Sequence, residues 1–238
     1  YYRDGIPYTV NYYNGRQEPY GLERIELLKG ASSVLYGASA PGGIINTISK
    51  RPVTEPLREL NVEVGSFQRR QVAGDFGGAL DSAGEWSYRL TALRRESGSF
   101  IDHVPDDRTY VAPAIKWQPR PGTSLTLLAE YHKDKTDYVY GLPAQGTLQP
   151  SLQGRIARSF YPGEPGYNRF DIERYALGYQ LEHAFNDQLK LRHNLRYFNA
   201  QNHYNTASIW GLSSDQRRSG SRSAQDRQDD SSGTTADT

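Results

Sequence analysis

The sequence predicts a mainly β protein, and three observations support that prediction. Of the 238 residues, 12% are aromatic, with 18 Tyr and 23 Gly, a composition that favours strands and turns. Apolar and polar residues alternate with a period of two in several segments. The connectors between these segments are short and long by turns. Together these features indicate a meander of antiparallel strands.

The composition also narrows the classes of function. The chain has no Cys, which removes disulfide frameworks, thiolate metal sites and Cys nucleophiles, and its net charge of +1 argues against a nucleic-acid binder. Neither a signal peptide nor an apolar run of about 20 residues is visible. A mean hydropathy of -0.76 is typical of a soluble protein. Membrane β-barrels are the exception, because their alternating strands never give a hydrophobic window.

Residues 1–52 precede the alternating segments and predict a separate compact unit. Its most informative stretch is LERIELLKGASSVLYGASAPGGIINTISKRP, Leu22–Pro52. Glycines punctuate this stretch and allow positive φ or close backbone approach, and Pro41 before two glycines predicts a sharp turn. The glycines do not form a phosphate cradle, since the Lys and Ser/Thr of a P-loop are missing. The apolar residues expected to form a small core are Ile25, Leu27, Val34, Leu35, Ile44, Ile45 and Ile48.

The following residues predict about seven strands with one apolar face. The first strand is expected near Arg58–Val64, and the clearest alternation sets Leu191 and Leu195 against Arg192 and Arg196. Short turns are predicted at LDSAGE, QPRPGT and AFNDQ. Long connectors are expected at Ser97–Asp107 and at about Asp134–Asp171, at the opposite end of the strands.

This arrangement is typical of an outer-membrane barrel, which has short turns at one end, long loops at the other and aromatic belts near the lipid interfaces. A soluble β protein with core aromatics is the alternative that the pattern leaves open. The aromatic residues expected in the belts are Tyr88, Tyr110, Trp117, Tyr131, Tyr175, Tyr179 and Tyr197.

The stretch Leu22–Pro52 resembles the end of the plug domain of TonB-dependent outer-membrane receptors, in particular the ferric-siderophore, ferrichrome-type branch. The resemblance continues through DFGGAL, YRLTALRRESGSF, YVAPAIKWQPRPGTSLTLLAEY, YGLPAQGTLQP and LEHAFNDQLKLRHNLRY, in order and at family-like spacing. The plug-motif residues that carry it are Arg24, Glu26, Gly30, Tyr36, Gly37, Pro41, Gly42, Gly43 and Asn46.

The resemblance implies a 22-stranded barrel filled by an N-terminal plug, in the outer membrane of a Gram-negative bacterium. On that reading 1–52 is the C-terminal part of the plug and 53–204 carries the first barrel strands. It further implies transport of a ferric siderophore, driven by the TonB-ExbB-ExbD complex of the inner membrane, with iron only as chelated cargo and no cofactor. A receptor for another cargo, such as cobalamin or a glycan, and a soluble β-rich binding or adhesive module remain the alternatives.

The resemblance also suggests a ligand site where the plug apex meets the external loops. Tyr13 is the best positional match to a siderophore-facing aromatic residue, with Tyr12 beside it. Tyr138 and Tyr140 stand at the base of the long third loop, although some relatives have Trp near Gly141. Tyr rings suit a flat chelate, because they join an apolar body to a hydrogen-bonding tip.

Charges of the plug motif are expected to meet a polar lumen. Glu23, Arg24, Glu26 and Lys29 can form ion pairs that are remodelled during transport, a hypothesis that predicts altered plug retention or uptake for Arg24→Glu. No enzymatic site is predicted, since no nucleophile has a matched base. The five histidines have no metal-ligand spacing; they are His103, His132, His183, His193 and His203.

The last segment, 205–238, predicts a polar, disordered tail. After Leu212 it has no aromatic residue, no β-branched aliphatic residue and balanced charges. A genuine polar external loop is the alternative. With about seven strands and no visible TonB-contact segment, the chain is expected to be a fragment, a truncated or frame-shifted product, that is not competent alone.

Overall fold

The computed structural model describes residues 1–8, 16–30, 43–139, 141–214 and 219–237. Its regular structure there is almost entirely strand, with twelve strands in two sheets. In this part of the chain no helix is both long enough and apolar enough to cross a membrane. The mainly β prediction is confirmed.

The first sheet, called the plug sheet below, has four strands in the order β2-β1-β4-β3. The strands β1 and β4 are parallel, whereas β3 and β4 are antiparallel. A single 3₁₀ turn, Pro19–Gly21, leads into β3. The strands are β1 (Tyr2–Arg3), β2 (Ile6–Pro7), β3 (Leu22–Lys29) and β4 (Gly43–Ser49).

The second sheet, called the wall below, is an eight-stranded antiparallel meander in which each strand pairs with the next along the chain. The open edges of this sheet are β5 and β12. Its strands are β5 (Leu57–Val64), β6 (Arg70–Ala79), β7 (Trp86–Glu96), β8 (Asp107–Arg120), β9 (Thr123–Thr136), β10 (Arg169–Ala184), β11 (Lys190–Leu212) and β12 (Ser219–Asp237).

The wall connectors lie as the sequence predicts. Residues 80–85, 121–122 and 185–189 connect strands at one end, called the short-connector end. Residues 97–106 and 137–168 connect them at the other, called the long-connector end, together with 65–69 and 213–218. The opposition of short and long connectors is confirmed.

The two faces of the wall differ in chemistry. The outer face exposes large apolar side chains, with Leu90, Leu127 and Leu177 in its middle. Rings pair near both ends of this face: Trp86 stacks on Trp117, and Tyr131 lies 5.2 Å from Tyr175 between ring centroids. The inner face carries buried charged residues on β6 and on β8 to β11, and these are Asp75, Arg108, Glu130, Asp134, Arg174 and Arg196.

The parity of the strands corrects one of the belt assignments. Tyr110 pairs laterally with Leu93 and His132, which point inward, and the ring of Tyr110 is completely buried. It packs with Ala73 and Leu93 in a small core between the sheets. The other six belt residues occupy outward positions of the wall, so only Tyr110 was assigned to the wrong face.

The predicted plug core is also corrected in part. Ile44 is buried, but Ile25 and Leu27 are 61% and 62% exposed. The physical reason is that no described residue packs on the face of β3 that carries these two side chains. Val34 and Leu35 lie outside the described residues.

The prediction of disorder in 205–238 differs from the structure. Residues 205–212 continue β11, and Ser219–Asp237 pairs with β11 from Leu212↔Ser219 to Asn194↔Asp237. Ladder hydrogen bonds depend on the backbone and not on side-chain hydropathy, so a polar segment can extend a sheet whose edge is open. The wall therefore has eight strands instead of about seven.

Candidate functional site

The plug sheet and the inner face of the wall meet through buried charges. Plug residues at the first strand, the 3₁₀ turn, the start of β3 and the end of β4 reach wall residues on six strands. Isolated buried charges are costly, so each needs an oppositely charged or hydrogen-bonding partner. Four linked groups supply these partners.

The first group surrounds Glu130 of β9. Its carboxylate pairs with the guanidinium of Arg3 from the plug, and Arg174 Nη2 lies 3.0 Å from Glu130 Oε1. The hydroxyl of Tyr8 donates to the same oxygen over 2.9 Å. Arg3 Nε donates to Ser49 Oγ at 2.8 Å, which ties β1 to β4. One carboxylate therefore joins two plug residues to two wall strands.

The second group surrounds Asp4. Its carboxylate pairs with Arg196 of β11 and accepts a 2.6 Å hydrogen bond from Arg51 Nη2. Ser49 donates to it twice, through its backbone N at 2.9 Å and its hydroxyl at 2.7 Å. The side chain of Asn194 donates to the backbone carbonyl of Asp4 at 2.7 Å. Asp4 is thus fixed by the wall and by its own sheet.

The third group surrounds Asp75 of β6, which is 1% exposed. Lys50 Nζ lies 2.7 Å from Asp75 Oδ2, and Arg89 donates to both oxygens at 3.0 and 2.8 Å. Arg89 also pairs with Glu23 of the plug at 3.1 Å. The Lys50 ammonium sits over the Tyr20 ring, 4.2 Å from its centroid.

The fourth group joins the 3₁₀ turn to the wall. Glu18 Oε1 accepts a hydrogen bond from the backbone N of Tyr20, which caps the turn, and Glu18 Oε2 accepts one from Arg108 Nη1 at 2.6 Å. Arg108 also donates to Asp134 Oδ2 at 3.0 Å. His132 Nε2 lies 3.1 Å from Asp134 Oδ1. The cap of a plug turn is therefore part of a wall ion network.

The packing between the sheets leaves little free space. A Cβ added to Gly21 would lie 2.0 Å from the hydroxyl oxygen of Tyr110, so only glycine allows this approach. A cavity of about 30 Å³ remains near Arg3, Lys50 and Glu130, with room for about one water. A larger cavity of about 640 Å³ lies at the long-connector end, lined by residues of 65–69 and 97–106.

The plug charges are strongly coupled to their surroundings. Burial alone would raise the pKa of Asp4, but the charges of Arg196, Arg51 and Arg3 hold that pKa well below its usual range. Burial raises the pKa of Tyr8. Asp4 is therefore an anion and Tyr8 a neutral hydrogen-bond donor at neutral pH.

The charged plug residues that were expected to face the lumen fall into two groups, one in contact with the wall and one in contact with the plug sheet itself. Glu23 reaches Arg89 of the wall. Arg24 Nε instead lies 2.8 Å from Glu26 Oε1, and Glu26 Oε2 accepts from the side chain of Asn46 at 2.9 Å. Both contacts stay within the plug sheet, so on β3 the wall is reached by Glu23 and not by Arg24 or Glu26. Lys29 is exposed at the end of β3.

Other plug-motif residues take positions that only some residue types allow. Gly30 and Gly43 have φ of 86° and 121°, and a Cβ on Gly43 would lie 2.3 Å from the Leu28 carbonyl oxygen. Asn46 is buried and accepts from the backbone N of Gly5 at 3.1 Å. Tyr36, Gly37, Pro41 and Gly42 lie outside the described residues.

Of the four tyrosines proposed to face a ligand, the structure describes one. Tyr138 lies just past the end of β9, at the start of the long connector 137–168, and is 53% exposed. Its ring meets Tyr204 edge-on at 6.1 Å, and Tyr204 in turn meets Phe170 at 5.6 Å. This aromatic patch lies at the long-connector end. Tyr12, Tyr13 and Tyr140 lie outside the described residues.

Sequence reasoning missed the residues that dominate the interface. Arg3, Asp4 and Glu18 precede the recognised plug stretch, and Lys50 was noted only as part of the handover to the strands. A signal was present on the wall side, because Asp75, Glu130 and other charges sit at the inward positions of otherwise apolar strands. A buried charge on a strand needs a partner, but the alternation of side chains does not identify that partner.

Among the described residues, no group of three or more metal-ligating side chains could hold an ion.

Comparison with known proteins identifies the family that the chain resembles. Residues 1–44 match the model of the TonB-dependent Receptor Plug Domain. The chain is 37% identical over 217 residues to the ferrichrome outer membrane transporter/phage receptor of Escherichia coli, covering 90% of this chain and 29% of that protein. It is 34% identical over 185 residues to the ferrioxamine B receptor of Salmonella typhimurium, covering 77% of this chain and 26% of the relative.

A solved structure shows the same fold. The open form of the ferric-catecholate import receptor Fiu from Escherichia coli superposes with a TM-score of 0.87, at 23% identity, over 99% of this chain and 38% of that one. The chain thus spans less than a third of the length of the two curated relatives described above. The chain belongs to the TonB-dependent outer-membrane receptors, of which it carries the end of the plug domain and the first strands of the barrel wall.

Proposed function

We propose that the chain is part of an outer-membrane transporter that imports a ferric siderophore into a Gram-negative cell. The observation that carries the proposal is the buried polar interface between the plug sheet and the wall. Such an interface holds a plug in place through many contacts, each of which can exchange for water when the plug moves. An apolar interface of the same size would lose its stabilisation on hydration.

The outer face of the wall supports the location. Its middle is apolar and its ends carry paired aromatic rings, which suits a lipid environment with an interface at each end. In such a membrane the short-connector end faces the periplasm and the long-connector end faces outward. The first wall strand then leaves the plug from the periplasmic side.

Energy for transport comes, on this proposal, from the TonB-ExbB-ExbD complex. The cargo enters from the long-connector end, where Tyr138 and its neighbours lie. Tyr12, Tyr13 and Tyr140 are proposed to contact the chelate as well. The relatives named above are receptors for ferrichrome and ferrioxamine B, so hydroxamate chelates are reasonable first probes.

Uptake of radioactive iron tests the proposal. The intact receptor is expressed in a Gram-negative strain lacking its own siderophore receptors, and a panel of hydroxamate, catecholate and carboxylate chelates is supplied. We expect uptake of at least one ferric chelate, and its loss when the membrane potential is collapsed. A correctly inserted receptor that takes up none of them, or that takes up only cobalamin or a glycan, would contradict the proposal.

A pair of tyrosines separates ligand contact from general packing. Tyr138 and Tyr175 are similarly exposed, at 53% and 49%, but only Tyr175 lies on the outer face of the wall. We expect Tyr138→Ala in the intact receptor to weaken chelate binding by about tenfold, the loss of about 1.4 kcal/mol. Tyr175→Ala should leave the affinity unchanged. Equal effects of the two variants would reject the assignment of Tyr138.

A further inference from the structure

His132 of β9 is a buried histidine at the interface between the plug sheet and the wall. It is 1% exposed, and the ring of Tyr110 packs edge-on against it at 5.7 Å between centroids. The other four histidines of the sequence are half-buried or exposed. An imidazole changes its charge near neutral pH. Protonation of His132 would therefore change the charge of the interface itself.

The contacts of the ring determine which of its nitrogens carries the proton. Arg174 Nη2 lies 3.1 Å from His132 Nδ1, and a guanidinium can only donate. His132 Nδ1 is therefore the acceptor, and the proton of the neutral ring is on Nε2. That nitrogen lies 3.1 Å from Asp134 Oδ1. The contacts thus fit a neutral His132.

A second proton does not fit the same contacts. It would add to Nδ1, the atom that accepts the hydrogen bond from Arg174. One hydrogen bond would then be replaced by the contact of two cations. Either the proton stays off the ring or Arg174 moves away from it.

The charged groups around the ring already pair with one another. They come from the plug, from β8, β9 and β10 of the wall, and from the connector 97–106. The pairs are Glu130 with Arg3 and Arg174, Glu18 and Asp134 with Arg108, and Arg16 with Asp106. Arg16 also lies 3.8 Å from Asp134, and the hydroxyls of Tyr8 and Tyr110 donate to Glu130. An imidazolium would therefore add a buried positive charge beside carboxylates that already have arginine partners.

Arg174 connects the ring of His132 to the plug. Its guanidinium lies over the ring of Tyr8, 5.2 Å from the centroid, and donates to the backbone carbonyl of Arg16 at 3.5 Å. It also donates to Glu130 Oε1 at 3.0 Å, the oxygen that Tyr8 shares. A displacement of Arg174 would weaken these contacts together, and two of them are contacts with the plug.

We propose that His132 makes the attachment of the plug to the wall sensitive to pH, so that attachment weakens as the pH falls below about 6.5. The attached plug keeps the ring buried and neutral. When the plug leaves, water reaches the ring, which then takes up a proton near the usual His pKa of about 6.5. Because the released state binds one proton more, attachment is strongest above that pH and is lost progressively below it.

The use of this response in transport rests on the proposed function. Release of the plug, in contrast, can be measured without any ferric chelate. The inference and the proposed function can therefore fail separately.

Plug release at two pH values tests the inference. The intact receptor in detergent is titrated with urea at about pH 7.5 and about pH 5.5, on either side of the usual His pKa, and release is followed by limited proteolysis. The variant is His132→Gln, whose amide can still accept from Arg174 and donate to Asp134 but takes up no proton. The matched control is His203→Gln, since His203 Nδ1 also accepts from an arginine, Arg169 at 2.9 Å, but on the outer face of the wall.

We expect the equilibrium constant for plug release in the wild-type receptor to rise about tenfold from the higher to the lower pH, as uptake of one proton near pH 6.5 requires. His203→Gln should keep this ratio. His132→Gln should reduce it to about twofold or less, because no proton is then taken up on release.

A second variant covers the case in which His132→Gln does not fold. Arg174→Gln removes the cation that faces Nδ1, so the attached state can also accept the proton. We expect it to weaken attachment at both pH values but to lower the ratio between them to about threefold or less. The ratio does not depend on the overall loss of stability.

The inference would be overturned by a wild-type release constant that is the same at both pH values. An unchanged ratio in His132→Gln, or in Arg174→Gln if the first variant does not fold, would also overturn it, since His132 would then be a packing residue only. A receptor that shows the tenfold ratio but takes up no ferric chelate would reject the proposed function and leave this inference in place.

Discussion

Two sets of charged residues in the plug sheet differ in their burial and in their partners. Arg3 and Asp4, at the end of β1, are buried and pair with Glu130 and Arg196 of the wall. Arg24 and Glu26, on β3, pair with each other at the surface. The side chain of Arg3 is 4% exposed and that of Arg24 is 59% exposed.

The difference comes from where each group of charges lies relative to the wall. Arg3 and Asp4 contact wall strands β9 and β11, whereas among the described charges of β3 only Glu23, near the start of the strand, reaches the wall. An exposed charge such as Arg24 can pair with a neighbour two residues away and keep its hydration. A charge in the interface must find its partner on the wall or pay for desolvation.

Removing a buried partner should have the largest effect. Arg3→Met leaves Glu130 with one guanidinium fewer and an uncompensated share of buried charge. We expect this to weaken plug attachment by about 3–5 kcal/mol, the usual consequence of breaking a buried ion pair. The measurement is urea titration of the intact receptor in detergent micelles, with plug release followed by limited proteolysis.

A double variant distinguishes charge from packing in that experiment. Glu130→Gln added to Arg3→Met removes the orphaned charge and should recover part of the loss. If Arg3→Met releases the plug at the same urea concentration as the wild-type receptor does, the buried charges do not hold the plug more strongly than the exposed ones, and the explanation given above is wrong.

A larger side chain at the close contact between the two sheets should have the next largest effect on stability. Gly21→Ala places a methyl group 2.0 Å from the Tyr110 hydroxyl oxygen, and Tyr110 is too buried to move aside. We expect about 1–3 kcal/mol of destabilisation from overpacking. Tyr110→Ala should relieve the clash, so Gly21→Ala should cost less in that background than in the wild-type one; an equal cost would count against direct contact.

Acid should weaken the buried ion pair of Asp4 with Arg196 only at low pH. The folded pKa of Asp4 lies below that of the unfolded chain, about 3.9, so its contribution is present above that pH and is lost as pH falls toward the folded value. The contribution of Asp4 to plug attachment should therefore be constant between about pH 5 and 8. Proteolysis of the plug in the wild-type receptor and in Asp4→Asn across pH checks this; a difference between the two that changes within that window would contradict it.

The exposed pair should matter least. We expect Arg24→Glu to change plug attachment by less than about 1 kcal/mol, because exposed ion pairs contribute little. The sequence analysis predicted altered plug retention or uptake for this variant and gave no magnitude. The same urea titration measures it, with Lys29→Glu on the same strand as a control for added negative charge. A shift as large as that of Arg3→Met would show that β3 contacts the wall during release.

The alternation of side chains was enough to predict the wall and its connectors. Leu127 and Leu177, for example, occupy the outward positions that period two assigns to them. The interface was harder, because a partner across two sheets depends on tertiary packing. Tyr110 was misassigned for the same reason, since a tyrosine is compatible with a lipid interface and with a buried contact.

The eighth strand, β12, shows another limit of sequence patterns. Its outward residues opposite Leu195, Tyr197 and Asn199 are small or polar, namely Ala236, Thr234 and Ser232. No apolar face marks it, so composition predicted disorder. Its pairing with β11 uses backbone groups that side-chain patterns do not report.

The most direct test of the account is the coupling energy between Asp4 and Arg196. Plug attachment is measured for Asp4→Asn, Arg196→Gln and the double variant, and likewise for Arg24→Gln and Glu26→Gln, so that each pair forms a double-mutant cycle. We predict a coupling of about 2 kcal/mol or more for Asp4 with Arg196, and below about 0.5 kcal/mol for Arg24 with Glu26. Equal couplings, or a larger one for the β3 pair, would contradict the claim that the buried charges of the first strand hold the plug to the wall.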